Sequence, residues 1–375
     1  MSLRRTVAAV ALLLCAATVV QADPPAGYYD SVDLSSPAAL RQSIHDIIDG
    51  HTKIPYTASS TDTWDVLEIA DEDPFNSSRI LDLYQNRTFT KAGGGNTSYN
   101  REHTWPNSYG FPDDGSSNLP YTDCHHLFLC DIDYNGARGN LFFDDCTVSC
   151  TAYVADLYDG ESGVNKRDGD SWETWAGRKG EVARAMFYMD VRYEGDAGSE
   201  PDLILTDDAG LIQTSGGSNA SVAYMGLLAT LLEWHAADPV SDRERARNDV
   251  IQQYQGNRNP FIDHPEWVAG VFEGIISDVG DAPAPALIAG IHPNPFNPST
   301  TLSFELPRAG RARVAIYGLD GSLVRLLADD VRDAGPFALT WDGRDDAGRA
   351  LGSGAFVCRL QSAAGADARP LLLLR

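Results

Sequence analysis

The sequence predicts an α+β protein in two parts: a mostly helical one reaching to about residue 280, and a small β-sandwich after it. Three observations carry this. Capped, amphipathic helix patterns recur between residues 36 and 256; the stiff segment Asp281-Ala-Pro-Ala-Pro-Ala286 follows; beyond it the apolar residues regroup into strand-length runs punctuated by Asp-Gly turns. The expected divisions are a signal peptide at 1–22, a first domain at 23–280, a linker at 281–287 and a second domain at 288–375.

The N-terminus has the form of an export signal. Arg4-Arg5 precede an apolar run from Val7 to Val20, and Val20-Gln21-Ala22 offers a small-residue cleavage site ahead of Asp23. The run is too short and wrongly flanked for a membrane span. A secreted chain is expected, whether extracellular, periplasmic or at the cell surface, and it is expected to be monomeric.

Helix signals follow in order. Ser36-Pro37 supplies an N-cap and a first-turn proline, Leu40, Ile44, Ile47 and Ile48 form an apolar stripe, and Gly50 ends the segment. Between 180 and 193, Val182, Ala185, Met186, Met189 and Tyr193 share one face, while Arg184, Tyr188 and Arg192 recur on another. Residues 223–236 read as a buried helix. Ser241-Asp242-Arg243-Glu244 is a capping box for a helix that Gly256 closes. After the linker, strands are expected at Thr301 to Leu306, Arg313 to Tyr317, Leu323 to Leu327, Phe337 to Trp341 and Ala355 to Leu360.

Export makes the cysteines interpretable. Cys124, Cys130, Cys146 and Cys150 favour two disulfides with three connectivities open, and Cys358 is left as a buried thiol. The competing reading is a structural zinc site drawn from those four cysteines with His125 and His126, although the spacing lacks a pair of Cys-x-x-Cys knuckles. Charge sets a second constraint: 29 Lys+Arg against 53 Asp+Glu give a net −24, and residues 281–375 carry ten of each sign, so the excess lies in the first part. A nucleic-acid binder usually shows a basic footprint. Here any polyanion must be held by local arginines, bound metal and salt screening.

Residues 100–140 concentrate the chemistry. Asn100-Arg-Glu-His-Thr-Trp-Pro106, Asp123-Cys-His-His-Leu127 and Asn135-Gly-Ala-Arg-Gly-Asn140 bring together a carboxylate, three imidazoles and an Asn/Arg pair. Such groups can hold a hard divalent cation, activate water and neutralise a phosphate. Neighbours on a regular strand face opposite ways, so Glu102 and His103 need a bulge or a strand end to serve one phosphate. Of His125 and His126, one is expected to point inward and one outward.

Those three motifs, with Val182-Ala-Arg-Ala-Met-Phe-Tyr-Met189 and Gln255-Gly-Asn-Arg-Asn-Pro-Phe-Ile-Asp-His-Pro265, make the chain resemble the bacterial endonuclease I family over roughly residues 28–275. The resemblance implies a ββα-metal (His-Me finger) core and a secreted or periplasmic endonuclease cutting DNA and in some members RNA to 5′-phosphate products. It implies His103 as general base and Glu102 and Asn135 as ligands of one Mg²⁺ (or Ca²⁺ or Mn²⁺). Arg138, three residues after Asn135, is expected as a catalytic phosphate contact if that segment is helical, with an ordinary intradomain ion pair as the alternative. His125, His126 and Asn140 are expected in supporting roles. Arg184 and Arg258 are open between substrate contact and structural pairing. Some relatives clamp the scissile phosphate with a basic residue between the Glu-His pair and Asp123, but residues 104–123 contain no Lys or Arg. The tail motifs Asn294-Pro-Phe-Asn-Pro298 and Asp345-Asp-Ala-Gly-Arg349 resemble Ig-like secretion or surface-attachment modules, which implies recognition by export or cell-surface machinery. An inactive nucleic-acid- or matrix-binding surface protein is the alternative; the complete Glu102, His103 and Asn135 set argues against it.

Overall fold

The computed structural model describes residues 24–275 and 287–375, apart from 116–117, 157, 159–162, 197–199, 307–309, 319–321 and 363–364. The expected signal segment and residues 281–286 of the expected linker at 281–287 lie outside the described residues, and Leu287 already belongs to a strand. The described part is α+β.

The first part is less helical than expected, because four small sheets lie among its helices. Its opening helix, Pro37–Ile48, starts where Ser36 Oγ accepts from Ala39 N, and it buries Leu40, Ile44 and Ile48. At the centre of the core is Lys179–Arg192, which is buried on every side from Gly180 to Arg192. The expected polar face therefore does not meet water. Arg184 pairs with Glu244 at 2.7 Å, Tyr188 donates to Asp123 at 2.8 Å and Arg192 reaches Glu200 at 2.9 Å, so each of these side chains has an internal polar partner. The capping box at Ser241 and Glu244 forms as expected, and Gly256 closes that helix at φ +94°.

Residues 223–236 differ from expectation. They split into a strand, Val222–Met225, paired in parallel with Asp202–Leu205, and a helix, Leu228–Ala237. Gly226 separates them at a point where the backbone passes the Thr206 carbonyl so closely that a Cβ would lie 2.3 Å from it. That close approach ends the strand and forbids any side chain.

Residues 287–375 form two antiparallel sheets. One runs Leu287–His292, Thr300–Leu306, Gly335–Trp341; the other runs Leu323–Arg332, Gly310–Gly318, Gly354–Ser362, Gly365–Leu373. Alternate residues of both sheets, among them Leu302, Phe304, Val314, Ile316, Trp341, Leu360 and Leu371, fill one core distinct from the clusters of the first part. The outer strands Leu287–His292 and Gly365–Leu373 were not expected. Pro370 in the latter is tolerated because that strand forms a sheet edge.

Candidate active site

The strand Tyr99–His103 pairs antiparallel with Leu127–Asp131, with Glu102 opposite Phe128 and His103 opposite Leu127 and no bulge in the register. Asp131 then caps the helix Ile132–Arg138, its side chain accepting from the amides of Asp133 and Tyr134. The result is a strand–strand–helix unit whose helix carries Asn135 and Arg138 back across the first strand. The expected strand end falls at His103.

Asn100 and Glu102 share one face of that strand. Asn135 Nδ2 donates to Asn100 Oδ1 at 2.8 Å and to the Arg101 carbonyl at 3.4 Å. Both partners accept, so the amide nitrogen is committed to them and Oδ1 is turned elsewhere. Glu102 is 2% exposed; its Oε1 takes the Tyr84 hydroxyl at 2.8 Å and Arg138 Nη1 at 3.0 Å. Among the described residues Oε2 makes no hydrogen bond, which leaves one carboxylate and one amide oxygen as donors suited to a hard cation. Burial raises the Glu102 pKa, and Arg138 and Tyr84 oppose the rise.

His103 lies on the other face. Its Nε2 is 3.0 Å from the Tyr121 carbonyl, which can only accept, so Nε2 carries the proton and Nδ1 the lone pair. Tyr56 stacks on the ring at 5.9 Å between centroids, and Tyr121 and His126 pack at 5.0 and 5.3 Å. Burial, and then the neighbouring His126, push the His103 pKa well below 6.5. The imidazole is neutral and basic at one defined atom.

Several expected roles change. Arg138 does reach the site, but it is 1% exposed: Nη1 donates to the His103 carbonyl at 2.8 Å, Nη2 to the Thr104 carbonyl at 2.5 Å, and the guanidinium lies over Phe143. It is a buried partner of Glu102 rather than an open phosphate contact. Arg184, 0% exposed and paired with Glu244, and Arg258, 1% exposed and paired with Asp263 and Asp249, are likewise committed internally rather than to substrate. His125 and His126 are both buried, so neither points outward. His126 Nε2 lies 2.7 Å from the Pro120 carbonyl beside His103, whereas His125 sits against Tyr188 with Nε2 3.2 Å from the Asn257 carbonyl. Burial pulls both down to about 4 despite Asp123 nearby. Asn140 is exposed beyond the helix end and bonds none of these groups.

The cysteines form one disulfide, Cys146–Cys150, and not two; Cys124 and Cys130 are buried free thiols in separate apolar clusters, as Cys358 is in its own. This also removes the zinc alternative, since its sulfurs do not converge. The metal-like cluster among the described residues lies elsewhere, at His45, Asp49 and Asp196. There His45 Nδ1 donates to the Val191 carbonyl and Nε2 faces Asp196 at 3.0 Å, an arrangement that a histidinium–carboxylate pair satisfies.

Sequence patterns did not reveal Tyr84, Tyr56, Tyr121 or Lys53. A cleft of about 370 Å³ lined by Lys53, Pro55, Tyr56, Thr57 and Asp114 opens on the Tyr56 side of the hairpin. None of these residues lies in a motif, and Tyr56, stacked on the His103 ring, links the cleft to the hairpin.

The family model for endonuclease I matches residues 37–266, a span that contains the hairpin, its helix and the buried helix behind them. The chain belongs to the endonuclease I family. Among relatives of similar sequence, the extracellular ribonuclease of Bacillus subtilis (strain 168) is 44% identical over 243 residues, covering 64% of this chain and 76% of its own. The extracellular ribonuclease of Bacillus amyloliquefaciens is 43% identical over the same shares. Among solved structures, dimeric latent PorU from Porphyromonas gingivalis matches 26% of this chain and 10% of its own at 22% identity, with a TM-score of 0.21. Among the described residues no helix is long and apolar enough to cross a membrane.

Proposed function

We propose that this endonuclease I family member is a secreted, divalent-metal-dependent, sequence-nonspecific endonuclease that hydrolyses phosphodiesters of DNA and RNA to 5′-phosphate products. The observation that carries the reading is His103: a neutral imidazole with Nε2–H held by the Tyr121 carbonyl and Nδ1 available, in the same strand–strand–helix unit as Glu102 and Asn135. His103 Nδ1 takes a proton from the attacking water, and the Tyr121 carbonyl keeps the ring oriented as positive charge develops on it. Glu102 Oε2 and Asn135 Oδ1 would hold the cation, with Mg²⁺ the best match to an all-oxygen pair. Bound there, it supplies charge neutralisation at the phosphate and the departing 3′-oxygen. Arg138 favours the ionised form of Glu102.

RNA is included because the two Bacillus relatives are named extracellular ribonucleases. Secretion is supported by the same names and by the signal pattern before Asp23. Residues 288–375 are read as an Ig-like module for export or attachment, supported by their two-sheet core and balanced charge. The deciding experiment digests plasmid, single-stranded DNA and RNA in parallel with Mg²⁺ and with EDTA, followed by end-group analysis. Metal-dependent cleavage leaving 5′-phosphates is expected. No cleavage of any polymer would return the chain to the inactive surface-binding alternative.

A further inference from the structure

We propose that Lys53 is a phosphate-binding residue of the nuclease cleft, holding the substrate backbone on the face of the hairpin that carries His103. The proposal rests on the nuclease reading and supplies the cation that residues 104–123 lack.

The chain has four lysines. Lys91, Lys166 and Lys179 each sit 2.5–3.0 Å from a carboxylate. Among the described residues Lys53 has no such partner: Nζ donates to the main-chain carbonyls of Gly115 at 2.5 Å and Asp114 at 3.4 Å. An ammonium has three donors, so one is left for a ligand. In a protein with 53 acidic side chains, an unpaired lysine at the lining of the cleft beside the base is a conspicuous placement.

The wall next to it is rigid. Arg101 lies 3.3 Å over the Tyr56 ring and donates to the Tyr56 carbonyl and the Thr63 hydroxyl, while Tyr56 itself stacks on His103. Arg101 also lacks a carboxylate within 4 Å among the described residues. Two cations with no carboxylate within 4 Å among the described residues thus flank Tyr56 in a chain of net −24, where long-range repulsion leaves local cations to capture a polyanion. Burial lowers the Lys53 pKa, a shift that Asp114 and Asp113 oppose, and Asp114, on the same lining, repels an anion.

The test compares Lys53→Met, Lys53→Arg and Asp114→Asn with a control, Lys91→Met, measuring kcat and KM on one polynucleotide over a range of NaCl above the salt optimum. Lys53→Met is expected to raise KM about tenfold, as loss of a charge-assisted hydrogen bond does, with kcat little changed. It should also make log(kcat/KM) less steep against log[salt] by about 0.7–0.9. Lys53→Arg should restore most of the loss, and Asp114→Asn should lower KM. A Lys53→Met enzyme that matches Lys91→Met, or one whose KM rises with an unchanged salt slope, overturns the proposal. If the wild type cleaves nothing, the nuclease reading fails separately. The same slope comparison, read from binding of a labelled oligonucleotide, then decides Lys53.

Discussion

Replacing Arg138 by Met keeps the bulk that packs on Phe143 and deletes the charge, which isolates what the guanidinium does for Glu102. Both side chains are almost fully buried, at 1% and 2% exposure, and their nearest atoms are 3.0 Å apart. Breaking a buried pair from one side costs about 3–5 kcal/mol, because the remaining charge is uncompensated. The carbonyls of His103 and Thr104 lose donors too, at about 1 kcal/mol each within that figure. The variant can relieve the cost by protonating Glu102, whose pKa burial already raises. With the folded pKa above the unfolded one, the folded state binds the extra proton. Stability of the variant should therefore fall as pH rises from about 4.5 towards the new pKa, the reverse of a carboxylate held low. A protonated carboxyl is a poor metal ligand, so half-maximal activity at pH 6 should need at least tenfold more Mg²⁺ than in the wild type, the gap narrowing at higher pH. Urea unfolding followed by tryptophan fluorescence and a Mg²⁺ titration of activity give the two readouts. Adding Glu102→Gln removes the stranded charge and should recover at least half the lost stability without restoring activity. A double variant as unstable as Arg138→Met alone would refute the argument.

Further outcomes follow from the same geometry. His103→Ala should lower turnover about 10²–10⁴-fold while Mg²⁺ binding measured by calorimetry persists; activity within threefold of wild type would remove His103 as the base. Because burial and His126 depress the His103 pKa, its neutral form survives below pH 6.5, and kcat/KM should stay level through that pH and decline only under it; an acid limb centred at 6.5 or higher contradicts the assignment. A chain of net −24 meeting a polyanion should cleave faster as NaCl is first added and slower thereafter, and a monotonic decline at saturating Mg²⁺ would count against the electrostatic reading. Truncation near Gly280 should leave turnover in vitro unchanged while altering delivery to the medium or cell surface; loss of turnover in a folded truncate would show that residues 288–375 contribute to the site.

The parts of the fold legible in the sequence were those encoded locally. Ser36, Ser241, Glu244 and Gly256 act within one helical turn, and the helix ends they predict are where the structure puts them. Thr300–Leu306 and Gly335–Trp341 alternate cleanly because one face meets a core, whereas Leu287–His292 carries a register shift at Gly290 and Gly365–Leu373 contains Pro370, so neither shows the alternation in sequence. The site divides the same way. Glu102, His103 and Asn135 sit in compact motifs. Tyr84, Tyr56 and Lys53 act across 18 to 50 residues of intervening chain, a separation no local pattern encodes. Arg184 and Arg258 could be named but not assigned, since an arginine bound to Glu244 or Asp263 looks in sequence like one bound to phosphate.

The group that orients the imidazole of His103 is the carbonyl of Tyr121, and Arg138 likewise anchors on the carbonyls of His103 and Thr104. A main-chain oxygen is present whatever the codon specifies. Where a carboxylate side chain fixes a histidine, a single nucleotide change can erase the orientation; here only a shift in the path of the loop can. The tautomer of His103 is thus inherited from chain geometry, and drift at position 121 is restrained by packing against the ring rather than by the hydrogen bond itself.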